Sequence, residues 1–189
     1  MAHPHLNRIM QLLWPPGTPP WEKVWAILDG ARDLRVFGAI QGTSQDNCCL
    51  YAGELSPEMR VAAPYLIQLD NADRLTRYII NNGWGNSWGV FFRSTEDLAA
   101  LRRHFRRFLI AKDYRGRRLV FRYYDPRILR VYLPTCTSNE LETVFGRTTR
   151  IMMEGDDPGT FLSFQLTNGE LLTDSVPLEV PQLAAAPAT

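Results

Sequence analysis

The sequence predicts an α/β or α+β domain with a mixed central sheet of about five strands, flanked by helices, and a small C-terminal β piece. Short apolar and aromatic runs alternate with segments of helical periodicity from about residue 21 to residue 145. After Gly146 the pattern changes to three short strands, two of them joined by Asn168-Gly169, a dipeptide typical of tight hairpins. The chain of 189 residues, with 45% hydrophobic and 22% charged residues, has ordinary globular composition.

The first half of the chain supplies four of the predicted strands. Leu6, Ile9, Met10 and Leu13 fall on one face of a helix predicted over residues 5–13, and the Pro-rich residues 14–20 act as a stiff spacer. Strands are then predicted over Trp21–Leu28, Cys48–Ala52, Tyr65–Leu69 and Val90–Arg93. Helices are predicted over Leu34–Ile40, Pro57–Ala63 and Ala72–Asn81.

The second half begins with a long helix and ends in strands. Ser94 and Asp97 resemble a capping box, which predicts a helix from there to about Ile110. A fifth strand is predicted over Leu119–Tyr124. Further helices are predicted over Pro126–Leu133 and Asn139–Phe145, and C-terminal strands over Arg150–Glu154, Phe161–Thr167 and Glu170–Asp174. These patterns divide the chain into an N-terminal helix and spacer (1–20), a main domain (21–147), a β extension (148–180) and a disordered Ala/Pro-rich tail (181–189).

Charge is distributed unevenly along the chain, although the net charge is only +1. Residues 102–130 contain eleven Lys and Arg against two acids, whereas the remainder contains ten basic and eighteen acidic residues. Because arginine forks bind both phosphates and carboxylates, this stretch fits either a nucleic acid or an acidic protein surface.

Several classes of protein are not expected from the composition. No apolar run approaches the roughly 18 residues that would span a membrane, and the N-terminus does not resemble a secretory signal. The three cysteines, Cys48, Cys49 and Cys136, form an odd set that indicates reduced thiols in a cytoplasm. No zinc spacing, P-loop or dinucleotide fingerprint occurs, so we expect no metal and no cofactor.

The segment Gly85–Gly89 matches the nucleophile-elbow pattern G-x-S-x-G around Ser87. An elbow requires a strand before the serine and a helix after it, but here the predicted order is reversed. His104, the one histidine downstream, lies inside the Arg-rich helix. A glycine-rich loop that presents Trp84 and Trp88 therefore fits better, with the two tryptophans either in the core or at a partly exposed contact site.

Four carboxylates, those of Asp29, Glu54, Asp70 and Asp125, follow predicted strands and could gather at one sheet edge. Caps and turns explain each of them separately. A two-histidine metal site at His3 and His5 is similarly weak as a hypothesis, because both residues belong to the N-terminal segment.

The most informative segment is residues 121–130, which reads as a strand that turns directly into a helix. Asp125 suits the N-cap of that helix and Pro126 its first position. Arg122, Arg127 and Arg130 gather around the same corner. By chemistry alone the corner is either a well-made turn with solvated arginines or a docking point for carboxylates and carbonyls.

Six segments, in order, resemble a known family. They are Trp25-Ala26-Ile27-Leu28-Asp29-Gly30-Ala31-Arg32, Cys49-Leu50-Tyr51-Ala52-Gly53-Glu54-Leu55, Ala63-Pro64-Tyr65-Leu66, Gly83-Trp84-Gly85-Asn86-Ser87-Trp88-Gly89, Phe121-Arg122-Tyr123-Tyr124-Asp125-Pro126-Arg127 and Leu133-Pro134-Thr135-Cys136. Together they are similar to the bacterial type VI secretion adaptor chaperones of the Tap/Tec kind, the domain of unknown function 4123 family. The resemblance runs from about Val24 to Phe145.

The resemblance implies a non-enzymatic cytoplasmic adaptor that binds a secreted toxin effector and helps load it on the VgrG spike protein. It implies no cofactor, no membrane and no catalytic residues. We expect a protein-binding face that includes Trp84, Trp88, Arg122, Tyr124, Asp125, Arg127 and Arg130. The alternatives are a nucleic-acid-binding module that uses residues 102–130 and, third, a serine hydrolase acting through Ser87.

Overall fold

The computed structural model describes residues 3–112 and 114–179. Its strands form two sheets. The strands of the larger sheet are β1 (Lys23–Asp29), β2 (Asn47–Cys49), β3 (Pro64–Leu69), β4 (Gly89–Ser94), β7 (Thr148–Glu154), β8 (Thr160–Thr167) and β9 (Glu170–Pro177). They lie in the order β2-β3-β1-β4-β7-β8-β9, and every neighbouring pair is antiparallel. Strands β5 (Ile110–Lys112) and β6 (Arg118–Val120) form a separate two-stranded hairpin.

Helices cover both faces of the large sheet. They are α1 (Leu6–Leu13), α2 (Leu34–Gln41), α3 (Pro57–Val61), α4 (Arg74–Gly83), α5 (Leu98–Arg106), α6 (Pro126–Tyr132) and α7 (Ser138–Phe145), with a short 3-10 helix at Leu133–Thr135. Because side chains alternate along a strand, Val24 and Ala26 of β1 enter a core with α1, α2 and α4, whereas Trp25 and Ile27 enter a second core with α5, α6 and α7. The result is three layers, with the sheet in the middle.

The predicted α/β class is confirmed, and the sheet is larger than expected. The C-terminal strands continue the central sheet, because β7 pairs with β4 beside the strands of the first half. The hairpin at Asn168-Gly169 is also confirmed. Both residues have positive φ angles, 53° and 79°, which a type I′ turn requires, and they join β8 to β9.

The predicted fifth strand, Leu119–Tyr124, is wrong in its extent and its place. β6 ends at Val120 and pairs with β5, outside the large sheet. Tyr123 and Tyr124 are buried beside α5 and α6, and the Tyr123 hydroxyl donates to the carbonyl of Phe105. Their aromatic side chains reflect burial in the second core, which a propensity pattern cannot distinguish from a strand.

Helix starts follow the expected capping chemistry, with one correction. Asp125 is the N-cap of α6, as predicted, and its carboxylate accepts from the Arg127 amide. The predicted capping box of Ser94 and Asp97 is wrong: Asp97 is itself the N-cap of α5 and accepts from the amide of Ala100. α5 also ends at Arg106, because the chain must turn to enter β5.

The N-terminal helix is part of the main body of the fold. α1 packs into the first core through Ile9 and Leu13. The tail predicted over residues 181–189 lies outside the described residues. Within the described residues, none of the helices has the length and apolar character needed to cross a bilayer.

Candidate functional site

The site begins at Asp29, the last residue of β1, whose side chain is fully buried. Its backbone amide donates to the carbonyl of Trp88 over 2.7 Å, and its carboxylate accepts from the amide of Ala31 over 3.0 Å. The next residue has to be a glycine, Gly30, because the backbone of Val61 lies against it: a Cβ at this position would lie 2.2 Å from the carbonyl oxygen of Val61. Asp29 is therefore held in place by its own turn.

Arg122 reaches Asp29 from a position 93 residues later in the chain. Its Nη2 donates to the Asp29 carboxylate and lies 3.8 Å from the carboxylate of Asp125. Burial lowers the pKa of Arg122, but the hydrogen bond and charge of Asp29 outweigh it, so the pKa is raised. The guanidinium thus compensates a carboxylate that water cannot reach.

Asp125 combines the roles of helix cap and ion-pair partner. Its carboxylate accepts from the backbone amide of Arg127 over 3.0 Å and from two guanidinium nitrogens of the same residue over 2.9 and 2.6 Å. Burial would raise the pKa of Asp125, but the hydrogen bonds and charge of Arg127, with the charge of Arg122, lower it. We call Asp29, Arg122, Asp125 and Arg127 the corner cluster.

A loop of residues 83–89 lies beside the corner cluster and encloses the carboxylate of Glu154. The amides of Gly85 and Ser87 donate to this carboxylate over 2.6 and 3.0 Å, and the Ser87 hydroxyl donates over 3.1 Å. Both loop residues have positive φ angles, 80° and 55°. Burial raises the pKa of Glu154, and the three hydrogen bonds offset only part of that effect. The loop is an anion-binding nest that the chain's own carboxylate fills.

Arg130 links α6 to the turn that follows β7. Its Nη2 donates to Asp156 over 2.6 Å, but the Asp156 side chain is 96% exposed. The Arg130 side chain itself is only 15% exposed. The charge of Arg130 also acts to lower the pKa of Glu154, so the nest and α6 belong to one electrostatic environment.

The predicted binding residues are thus brought together, but not as an open face. Trp84 and Trp88 are 3% and 2% exposed. The Trp84 indole donates to the carbonyl of Pro158 over 2.8 Å, and its ring stacks on Phe161. The prediction that either tryptophan makes an exposed contact is therefore wrong, because both rings are packed in the first core.

Tyr124 and Asp125 are buried as well, and the corner arginines are engaged within the chain. Burial and the neighbouring Tyr51 raise the pKa of Tyr124. Arg122 and Arg127 remain 39% and 45% exposed at their side chains while they pair with buried acids. The interpretation of these arginines as solvated side chains without partners is wrong, because Arg127 pairs with Asp125 and Arg122 pairs with Asp29, which lies 93 residues earlier in the chain.

Serine hydrolysis gains no support from the surroundings of Ser87. Its hydroxyl is paired with Glu154, and Ser87 is only 7% exposed. His104 points elsewhere, with its Nε2 2.9 Å from the carbonyl oxygen of Val144. No strand precedes the serine, since α4 ends at Gly83 and β4 begins at Gly89.

The remaining candidates do not converge on one centre. Arg122 brings Asp29 and Asp125 together, whereas Asp70 makes its own turn by accepting from the amide of Ala72. Burial raises the pKa of Cys48 to about 11, which keeps this thiol protonated. Within residues 3–112 and 114–179, no group of three or more His, Cys, Asp or Glu side chains could hold a metal ion.

Sequence reasoning missed Glu154 as a site residue. Its signal was available: an acidic residue directly continues the apolar run Ile151-Met152-Met153 at the end of a strand. Buried charge at such a position requires a partner. The partner, however, is a set of backbone amides in a loop about 67 residues earlier, which the sequence pattern does not identify.

The arginines of α5 differ from those of the corner cluster. In the described part of the chain, no carboxylate lies within 4.0 Å of a charged nitrogen of Arg102, Arg103, Arg106 or Arg107. The basic stretch therefore contains one paired group at the corner and one group that faces solvent or the sheet edge.

Comparison with known proteins gives one family match. A family model described as a domain of unknown function (DUF4123) matches residues 24–143. This range contains all but the first residue of β1, the strands β2 to β6, the corner cluster and the 83–89 loop, but it ends before Glu154. No curated protein and no solved structure matches the chain.

Proposed function

The chain belongs to the DUF4123 family, and from this membership we propose that it is a cytoplasmic adaptor that binds a type VI secretion toxin effector and helps load it on the VgrG spike protein. The family match over residues 24–143 is the observation that carries the proposal, because DUF4123 genes are associated with type VI effectors. The adaptor itself is not expected to leave the cell with its cargo.

We propose further that the protein is not an enzyme. The groups that could supply chemistry are used to hold the fold: Ser87 bonds Glu154, Asp29 bonds Arg122, and Asp125 caps α6. A serine-reactive probe should leave the native protein unlabelled. Labelling that disappears in Ser87→Ala would contradict the non-enzymatic proposal and support a hydrolase.

The adaptor role is tested by co-expression with the proteins encoded beside its own gene. We expect the tagged chain to retain a neighbouring toxin on an affinity column and to increase the soluble amount of that toxin. The spike protein should join the complex when it is added. A matched control uses a toxin and spike from another type VI cluster, which should not be retained. No retention of the neighbouring toxin would overturn the proposal.

The arginines of α5 favour one second candidate, a nucleic-acid-binding module. They have no ion-pair partner in the described chain and are concentrated on α5 and its C-cap, and arginines of this kind can neutralise phosphates. Such binding should weaken steeply with salt. Absence of a mobility shift with single- or double-stranded nucleic acid at low salt would eliminate this candidate.

A further inference from the structure

The large sheet ends at β9, a strand that has a neighbour on one side only. In the sheet order of the described residues, β9 follows β8 and no further strand lies beyond it. β9 contains eight residues, whereas β2, at the opposite end of the sheet, contains three. All eight residues pair with β8 in one continuous register. A long, regular edge strand of this kind is a ready template for another strand.

The turn at Asn168-Gly169 fixes which backbone groups of β9 face outward. In a two-residue hairpin the residues that flank the turn, here Thr167 and Glu170, exchange both of their backbone hydrogen bonds. The hydrogen-bonding direction then alternates along β9. The groups turned away from β8 are the N–H and C=O groups of three residues, Leu171, Thr173 and Ser175. Pro177 continues this outward series, so its missing N–H costs no hydrogen bond to β8. We call the outward groups of these three residues the β9 edge.

The middle of β9 is open to solvent on both of its faces. The four consecutive residues 172–175 are exposed, although alternate side chains along a strand point to opposite faces. Leu172 is one of these residues and is 49% exposed. The features that usually protect an edge are also missing from this strand, which has no lysine and only a terminal proline. A second strand can therefore approach β9 without displacing a helix.

The β9 edge is complementary to itself. When two copies pair antiparallel about a two-fold axis at Thr173, this residue meets its own equivalent, and Leu171 meets Ser175 of the second copy. Every N–H and C=O group of the β9 edge then has a partner, and the two threonine hydroxyls on the axis can also hydrogen-bond. An axis at Leu171 would instead place Thr173 opposite Gly169 of the turn. An axis at Ser175 would place it opposite Pro177, which has no N–H.

The side chains of β9 fit the same register. Leu172 lies diagonally across from Leu172 of the second copy, within reach of long side chains, so the two exposed leucines cover each other. The acids of the strand do not meet directly. Asp174 has Leu172 of the second copy opposite it, and Glu170 has Val176 opposite it. Each Asp174 also keeps its ion pair with Arg150 of its own copy, at 3.2 Å between Oδ2 and Nη1.

We propose that two copies of this chain pair antiparallel through their β9 edges, with the two-fold axis at Thr173, so that their large sheets join into one. The occupant of the edge is a second copy because the same strand supplies matching donors, acceptors and an apolar contact in a single register. The proposal is independent of the adaptor function, since it rests on the backbone geometry and side chains of β9. This strand also lies outside residues 24–143, which the family model matches.

Sedimentation equilibrium of the full chain over a concentration series measures the association. We expect the average mass of the original protein to rise from 21.6 kDa toward twice that value as the concentration increases. Thr173→Pro removes an outward N–H but leaves the hydrogen bonds between β8 and β9, so this variant should stay at the monomer mass. Thr173→Val is the matched control, because it keeps both the N–H and the branched side chain, and it should associate like the original protein.

Charge at position 173 tests the register and the identity of the occupant together. Thr173→Glu and Thr173→Lys each place like charges directly opposite one another across the two-fold axis, so each variant alone should stay monomeric. An equimolar mixture of the two brings a carboxylate against an ammonium group, so the mixture should regain the dimer mass. Thermal melting of all variants verifies folding, and the charge variants carry the test if the proline variant fails to fold.

Recovery of the dimer by the mixture, and by neither charge variant alone, would support the proposal. An original protein that stays monomeric from micromolar to millimolar concentration would overturn it. A dimer that the proline and charge variants all retain would place the interface elsewhere, and a mixture that stays monomeric would contradict the Thr173 register. A monomeric original protein that binds the neighbouring toxin, and loses that binding in Thr173→Pro, would assign the edge to a different occupant.

Discussion

Truncation of Glu154 gives the sharpest test of the nest at the 83–89 loop. Glu154→Ala removes the acceptor of three hydrogen bonds and leaves the amides of Gly85 and Ser87 without a partner in a buried loop. Hydrogen bonds to a charged group contribute about 1.5–3 kcal/mol each, and water that enters the truncated site recovers part of this. We expect a loss of about 3 kcal/mol of unfolding free energy.

Two further substitutions calibrate this value. Glu154→Gln keeps one oxygen acceptor but turns an NH₂ group toward an amide donor, and it also removes a buried charge, so we expect a loss of only about 1 kcal/mol. Ser87→Ala removes the 3.1 Å hydroxyl bond alone and should cost about 1 kcal/mol or less. We therefore expect Glu154→Ala to lower the unfolding free energy most, Glu154→Gln clearly less, and Ser87→Ala least.

Urea denaturation followed by tryptophan fluorescence is a suitable assay, because Trp84 and Trp88 are buried in and beside the loop. For a chain of this size, the loss expected for Glu154→Ala corresponds to a fall of about 6–12 °C in Tm. Equal stability of Glu154→Ala and the original protein would refute the nest as a source of stability. An equal, large loss in the Gln variant would show that charge rather than hydrogen bonding holds the loop.

Glu154 also predicts an unusual dependence of stability on pH. The pKa of Glu154 in the folded protein lies above the ordinary value of 4.5. Between pH 4.5 and the folded-state pKa, the folded state therefore binds more protons than the unfolded state. The contribution of this group is therefore fully present below the unfolded pKa and is lost as the pH rises through the folded pKa. The stability advantage of the original protein over Glu154→Gln should be larger at about pH 4 than at about pH 7. Paired urea titrations measure the difference, and an advantage that grows with pH would contradict the raised pKa.

Two other pairs of substitutions test the corner and the turn after β1. Arg122→Ala leaves the buried carboxylate of Asp29 without its cation and should lower the unfolding free energy by about 2 kcal/mol, less than for a fully buried pair because Arg122 is 39% exposed. Asp156→Ala removes an ion-pair partner that is 96% exposed and should leave the unfolding free energy unchanged. Gly30→Ala should cost about 3 kcal/mol because its Cβ would overlap a backbone carbonyl, whereas Gly38→Ala, with open space around it in α2, should gain about 0.5–1 kcal/mol. Urea denaturation measures both pairs, and equal effects within a pair would contradict the contact that distinguishes its members.

The fold class could be predicted because periodicity and capping are local. The four strands of the first half and the hairpin at Asn168-Gly169 each have a signal within a few residues. The structure confirms that all of them exist, although the second strand ends at Cys49 and not at Ala52. The segment 121–124 misled the prediction because aromatic residues have high strand propensity wherever they are buried. Whether Tyr123 pairs in a sheet or packs in a core depends on α5, which is a tertiary contact.

The candidate site could be predicted only in part, for a similar reason. Asp125 was recognisable as a cap since its partner lies two residues away. Asp29 and Arg122 are separated by 93 residues, and Glu154 meets the loop amides across 67. Each half of such a pair resembles an ordinary turn residue or a solvated arginine. Buried ion pairing of this kind is visible only when the topology brings β1, the loop and α6 together.

The internal pairing of the corner changes where binding should be sought. Arg122 donates to Asp29, and Arg127 donates to Asp125. A partner that bound these arginines would therefore first have to replace their contacts to buried carboxylates. It follows that a loss of effector retention in Arg122→Ala should be accompanied by a fall in unfolding free energy, because the substitution removes an ion pair that stabilises the fold.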